Sequence, residues 1–133
     1  MQESQIIKIL NENELSEIEV LKKDDDFVLI NFYFDFDKDV VDAAKSYSNE
    51  ESSLEEYSKD WYKEYYFPYL YDFANDEVLE IIEEIVEELG IEGEMMAIQM
   101  TEKTSDYVQF MALFTEEDSN ISIEEVVKDY MSK

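Results

Sequence analysis

The stretch from Phe27 to Phe36, FVLINFYFDF, carries the clearest strand signal in the chain. Apolar residues stand at every second position, beginning with Val28, Ile30 and Phe32. Successive side chains of a β-strand point to opposite faces of a sheet, so this alternation predicts a strand that buries one face in a core. The stretch therefore predicts a sheet with a buried face.

Three further segments predict the partners of this strand. Residues 16–21 read as a strand that joins it through the acidic turn of Asp24, Asp25 and Asp26. Residues 95–101 and 107–114 alternate in the same way and predict a second hairpin. Two hairpins are most economically combined in one antiparallel sheet.

Helix signals occupy the middle of the chain. A capping box at Ser52 or Ser53 predicts the start of a long aromatic helix, which Pro68 should kink or end. The next helix is expected to begin at Asp76 and to stop at Gly90. Two separate helices are therefore predicted between residues 52 and 90.

Shorter helices near residues 5–10 and 39–47, and a capped helix after residue 122, complete the predicted order α-β-β-α-α-α-β-β-α. We expect an α+β fold with two layers, in which a four-stranded antiparallel sheet of two β-hairpins packs against helices. The 133 residues fit a single domain, 1–133. Because α-β-β-α occurs twice, an internal pseudo-repeat is a further hypothesis.

The chain is extremely acidic, with 36 acidic and 10 basic residues and a net charge of −26. Residues 1–66 hold 18 acids and 7 lysines, and residues 67–133 hold 18 acids and 3 lysines, so both halves are negative. A hydrophobic content of 45% is too high for a disordered acidic chain. The charge is therefore expected on the surface of a folded domain. Because its self-repulsion destabilises the compact state, we expect the charge to have a use.

Several residue types that support catalysis are missing. The chain has no Cys, His or Arg, and glycine occurs only at Gly90 and Gly93. Thiolate and imidazole chemistry and a glycine-rich phosphate loop are therefore excluded. We expect no enzymatic activity and no cofactor, with a metal-dependent enzyme that uses only carboxylates as the remaining enzyme alternative.

A D-x-D-x-D run raises the question of a metal site. Asp35, Asp37 and Asp39 could offer oxygen ligands to a hard cation. A calcium loop that begins at Asp35 would need Gly at its sixth position and Glu at its twelfth, where Val40 and Ser46 stand. The three aspartates are therefore only weak candidates, and no metal is expected.

The predicted helix after Asp76 carries an unpaired acidic face, which we call the acidic ladder. Its members are Glu77, Glu80, Glu83, Glu84, Glu87 and Glu88. Like charges four residues apart destabilise a helix, and lysines there would have stabilised it. With the ladder we expect Tyr62, Tyr66 and the turn of Asp24, Asp25 and Asp26 to bind a partner, since exposed tyrosines anchor protein interfaces.

These features favour a nucleic-acid mimic, whose carboxylates replace phosphates in the basic groove of a nuclease, a CRISPR or restriction defence complex, or a DNA-binding protein. In composition the chain resembles phage-encoded inhibitors of restriction or CRISPR systems. One alternative is an immunity protein or chaperone that neutralises a basic toxin. Another is a soluble acidic domain whose charge serves solubility alone.

The expected partner is a basic protein surface. Carboxylates repel phosphates and anionic lipids, so neither direct nucleic-acid binding nor membrane binding is expected. The sequence leaves a homodimer open. Because residues 1–4 show no signal-peptide pattern, we expect the cytoplasm of the producing cell, or of a host cell if the protein is phage-encoded.

Overall fold

The structure, a computed structural model, describes residues 2–117 and 119–132. The elements follow the predicted order. They are α1 (Glu3–Glu12), β1 (Ser16–Lys23), β2 (Phe27–Asp35), α2 (Lys38–Glu51), α3 (Lys59–Trp61), a π-helical turn (Tyr62–Tyr66), α4 (Phe67–Leu89), β3 (Glu92–Ala97), a 3₁₀ turn (Glu102–Thr104), β4 (Tyr107–Thr115) and α5 (Ile123–Met131). The α+β prediction is confirmed.

The four strands form one sheet in the order β1-β2-β4-β3, and all neighbouring strands are antiparallel. The two hairpins meet through β2 and β4, which pair without interruption from Phe27 opposite Thr115 to Asp35 opposite Tyr107. Strand β2 (Phe27–Asp35) is therefore a central strand of the sheet. The prediction of a single antiparallel sheet from two hairpins is confirmed.

The larger core lies on one face of the sheet. Val28, Ile30 and Phe32 of β2 are fully buried there, together with residues of α1 and α4. The predicted packing of helices on a sheet therefore holds on this face. Helix α5 adds a helix on the opposite face, where it packs on Phe27 and Leu29 in a second, smaller cluster.

The two α-β-β-α halves, for which a pseudo-repeat was a hypothesis, are alike in part of their packing. The two hairpins pair through their second strands, and α1 and α4 pack in the same core. The helices that close the two halves differ, since Ala44 of α2 lies in the larger core whereas Val126 of α5 lies in the cluster on the other face.

The aromatic helix differs from its prediction at both ends. Its N-cap is Ser58, whose Oγ accepts a hydrogen bond from the backbone N–H of Trp61 at 3.3 Å, and not Ser52 or Ser53. Pro68 does not end the helix, because the π-helical turn precedes it. A proline clashes with the carbonyl group four residues earlier, and the wider turn accommodates its ring.

One continuous helical segment therefore runs from Lys59 to Leu89. Asp76 lies inside α4, so its prediction as an N-cap is wrong. The apolar stripe of Leu70, Ala74 and Val78 passes through this point without a break and keeps the chain helical.

Two predicted helix ends are confirmed. Gly90 ends α4 in the left-handed region, with φ 66° and ψ 40°. Ser122 caps α5 by accepting a hydrogen bond from the backbone N–H of Glu125 at 3.3 Å. In both cases the signal is local and needs no tertiary contact.

The approach of α4 to the sheet depends on Gly93 in β3. A Cβ atom at this position would lie 3.0 Å from Cγ2 of Ile82 and 3.1 Å from Cγ2 of Val86. A larger residue would require these side chains to move by a few tenths of an ångström. Glycine at this position therefore allows β3 and α4 to pack closely.

Candidate functional site

A groove of about 550 Å³ is lined by α4, by the end of β2 and by the turn after α1. We call it the acidic groove. Its carboxylates are Glu14, Asp35, Asp37, Glu77, Glu80 and Glu84. Acids from three separate segments of the chain therefore converge on one concave surface.

The groove also has an apolar component. Phe34, Phe36 and Phe73 are half-buried and line it, with ring centroids 5.5 Å apart for Phe34 and Phe36 and 6.1 Å apart for Phe34 and Phe73. The buried side chains of Leu15 and Ile81 complete this lining. The groove combines aromatic surface with carboxylates.

The run of three aspartates is divided by the fold. Asp35 accepts a hydrogen bond from Oγ of Ser16 at 2.6 Å, and Asp37 caps α2 by accepting from the backbone N–H of Val40 at 2.9 Å. Asp39 lies exposed in the first turn of α2 and does not line the groove. Among residues 2–117 and 119–132, no group of three or more carboxylates is close enough to hold a metal ion.

Glu14 reaches the groove from an unfavourable backbone conformation. Its φ is 63°, in the left-handed region that glycine or asparagine usually occupies after a helix. The backbone N–H of Leu15 donates to the carbonyl oxygen of Leu10 at 3.3 Å and closes the helix there. No local sequence signal marks Glu14 as a site residue, so it was not predicted.

The negative charge of the groove has no internal compensation in the part of the chain that the structure describes. No lysine is among the lining residues. The two ion pairs found in that part, Lys22 with Asp129 and Lys23 with Glu3, involve none of its carboxylates. The groove is therefore a local concentration of negative potential.

The acidic ladder continues this surface along α4. All six of its glutamates are exposed, as the apolar stripe on the other side of the helix predicts. Glu80 and Glu84 line both the groove and a shallow depression that extends to Glu87 and Glu88. Groove and ladder therefore form one continuous acidic face.

The acidic turn does not join this face through the sheet. Asp24, Asp25 and Asp26 connect β1 to β2 beside the paired residues Lys23 and Val28. Asp35 lies at the other end of the same strand, where Ser16 pairs with Tyr33. The three aspartates of the turn are exposed at the opposite end of the sheet from Asp35.

The two tyrosines proposed from the sequence also lie outside the groove. Tyr66 is 3% exposed and stacks on Trp61 with ring centroids 4.8 Å apart, and burial raises its pKa to about 12. Tyr62 is half-buried and lines a different cavity, where burial and the nearby Glu102 raise its pKa. A ring as buried as that of Tyr66 offers no surface to a partner.

The chemistry of the groove suits basic side chains. Carboxylates bind ammonium and guanidinium groups by charge-assisted hydrogen bonds, and aromatic rings pack against the stems of lysine and arginine.

Within residues 2–117 and 119–132, no helix has both the length and the apolar character that crossing a membrane requires. Comparisons of the chain with protein-family models, with curated proteins and with solved structures find no match.

Proposed function

We propose that this chain is a binding protein whose acidic groove and acidic ladder occupy the nucleic-acid site of a basic partner. The observation that carries the proposal is the convergence of six carboxylates from three segments on one groove, with no lysine among those lining residues that the structure describes. The partner classes are a nuclease, a CRISPR or restriction defence complex, and a DNA-binding protein. Binding takes place in the cytoplasm of the producing cell, or of the host of a phage.

The spacing of the charges supports mimicry of phosphates. The acidic ladder runs for about 17 Å along the helix axis, which gives about one charge per 3 Å. Duplex DNA carries about one charge per 1.7 Å of its axis, or about one per 3.4 Å on each strand, so the ladder alone approaches the duplex density without reaching it. Glu14, Asp35 and Asp37 add carboxylates from outside α4, so the groove has acids from more than one segment.

The cost of the arrangement also supports a functional role. Glutamates four residues apart on α4 repel one another, and Glu14 holds a backbone conformation that disfavours a side chain. Acids spread evenly over the surface would give the same solubility at a smaller cost. A concentrated field is useful in association, because it steers a positively charged partner and rejects a negatively charged one.

Binding is favoured over catalysis by the composition of the groove. Every ionisable side chain that lines it is a carboxylate. The chain has no histidine or cysteine to serve as a neutral general base or a thiolate nucleophile. Carboxylates that are exposed and similarly placed are suited to bind a cation and are poorly differentiated as an acid and base pair.

The three phenylalanines of the groove favour a second candidate, an immunity protein or chaperone for a basic toxin. Such a protein would bind through an aromatic anchor with charges around it. Substitution of Phe73 by Ala would then abolish binding, whereas neutralising the glutamates one at a time would weaken it only slightly. Mimicry requires the opposite ranking, with a steep and cumulative loss along the glutamates.

Competition tests mimicry directly. The full chain is immobilised, proteins from host and phage lysates are retained, and bound proteins are eluted with duplex DNA, with single-stranded RNA or with polyglutamate at equal charge concentration. We expect a nucleic-acid-binding protein that DNA or RNA displaces at concentrations where polyglutamate does not. A retained partner that binds this chain and its own nucleic acid together would exclude mimicry.

A further inference from the structure

A second cavity, separate from the acidic face, has the opposite electrostatic character. It measures about 630 Å³, within the range of small-molecule sites, and lies between the segment Lys59–Tyr71 and residues 99–103. We call it the lysine-rimmed cavity. We infer that it binds a small amphipathic anion in which a carboxylate or phosphate is joined to an aromatic body.

The charge of the rim is the first reason. Lys59, Lys63 and Lys103 all line the cavity, whereas Glu102 is the only acidic residue among the lining residues that the structure describes. Elsewhere acids greatly outnumber lysines, since the whole chain holds 36 acids and 10 basic residues. None of the three lysines forms an ion pair within residues 2–117 and 119–132. The lining of the cavity therefore carries a net positive charge on a very negative protein.

The net charge of the chain does not prevent an anion from binding here. At physiological ionic strength the Debye length is about 8 Å, so exposed charges farther away are largely screened. The acidic ladder begins at Glu77, more than one helical turn beyond Tyr71, the last residue of α4 in the lining. The charges closest to a bound ligand are therefore those of the lining itself, three lysines and Glu102.

The π-helical turn aligns the wall of the cavity. Residues four apart on a regular α-helix drift around its axis by about 40° per step. The wider turn between Tyr62 and Tyr66 counteracts this drift, so Lys59, Lys63 and Phe67 all line the cavity together with Tyr71. With Tyr62, two lysines and three aromatic residues therefore line one space from a single helical segment.

The apolar lining is held in place. The Tyr71 hydroxyl donates to the carbonyl oxygen of Ile98 at 3.3 Å and accepts from the backbone N–H of Met100. Met100 is buried, and the half-buried rings of Tyr62 and Phe67 border the same space. The helix and the segment after β3 are thus joined by hydrogen bonds, and the cavity is formed before any ligand binds.

These features define the class of ligand. The aromatic rings and the methionine that line the cavity suit a ligand with a flat aromatic group, which can stack on them. Ammonium groups at the rim suit a carboxylate or a phosphate. The lysines are too exposed to hold a bare anion strongly, so the apolar body and the charged group are both needed.

The experiment uses the full chain labelled with ¹⁵N and titrated with 1-naphthyl phosphate and with 1-naphthoate. The indole N–H of Trp61 is an additional reporter, since its ring lies 5.1 Å from that of Tyr62. We expect saturable shifts at residues 59–71 and 99–103, and the ratio of the two affinities shows whether phosphate or carboxylate is preferred. Neutral 1-naphthalenemethanol and inorganic phosphate should each bind at least about ten-fold more weakly, because each lacks one of the two required parts.

Charge variants isolate the role of the rim. K59Q/K63Q/K103Q should weaken binding of 1-naphthyl phosphate about ten-fold, as expected for the loss of three exposed charge contacts. K8Q/K38Q/K128Q removes the same charge from exposed lysines outside the cavity and should change the affinity less than about two-fold. Equal affinities of the two variants, tight binding of the neutral alcohol, or shifts outside the cavity would each overturn the inference.

Discussion

Glu14, at the end of α1, and Glu80, in the middle of α4, line the same acidic groove although they are far apart in the sequence. Glu14 does so from a left-handed backbone with φ 63°. Glycine would relieve this conformation but would remove a carboxylate from the groove. The acidic face is thus a product of the tertiary fold and is maintained at a local cost in stability.

Replacement of Glu14 by Gly should separate these two effects. We expect the free energy of unfolding to rise by about 0.5–1 kcal/mol, because relief of the left-handed conformation outweighs the backbone entropy that glycine loses on folding. Partner binding should weaken in the same variant. Urea unfolding measures the change in stability. Glu14→Asn is a control, because asparagine tolerates the left-handed conformation and also removes the carboxylate. A less stable glycine variant would show that Glu14 is not strained.

Replacement of Glu84 by Lys should stabilise α4. Glu80 and Glu88 lie four residues away on either side, so two repulsive pairs become attractive. We expect the free energy of unfolding to rise by about 1 kcal/mol at low salt, and by about half as much for Glu84→Gln, which only removes the repulsion. The gain should shrink near 1 M salt, where the Debye length is about 3 Å. Thermal unfolding of both variants and the wild type at two salt concentrations measures this difference. A gain in stability that does not depend on salt would contradict a charge mechanism.

The buried phenol of Tyr66 should make the fold sensitive to alkaline pH. Burial raises its pKa in the folded state from 10.0 to about 12, so folding favours the protonated phenol. Its contribution is complete below pH 10 and is lost as the pH rises to about 12. Urea unfolding across this window should show a smaller loss for Tyr66→Phe than for the wild type. The control variant Tyr65→Phe, at a half-buried tyrosine, should lose nearly as much stability across this pH window as the wild type. Identical profiles for the two variants would show that the alkaline loss of stability does not come from Tyr66.

The elements that the sequence predicted well depend on local residues. The alternation of Phe27–Phe36, the left-handed Gly90 and the cap at Ser122 each reflect the conformation of a few neighbours. The predicted start at Asp76 failed because an aspartate is also compatible with a helix interior when an apolar stripe continues through it. Local signals show where a helix can begin, and packing decides whether it does.

The two cavities depend on contacts that the sequence does not show. Helical periodicity predicted that the acidic ladder is exposed. It did not predict that the ladder lies beside Asp35 in one groove, because that depends on how α4 packs on the sheet. In the lysine-rimmed cavity, the spacing of Lys59 and Lys63 could have been noticed in the sequence. Lys103 joins them only because Tyr71 holds the segment after β3 against α4.

The affinity of the retained partner for three versions of the full chain tests the central claim most directly. They are the wild type, the groove variant E77Q/E80Q/E84Q, and E50Q/E55Q/E117Q, which removes the same charge from exposed positions outside the groove. We predict a loss of about 100-fold or more for the groove variant and of less than about three-fold for the control. Equal losses in the two variants would contradict the claim, because binding would then follow total charge and not the acidic groove.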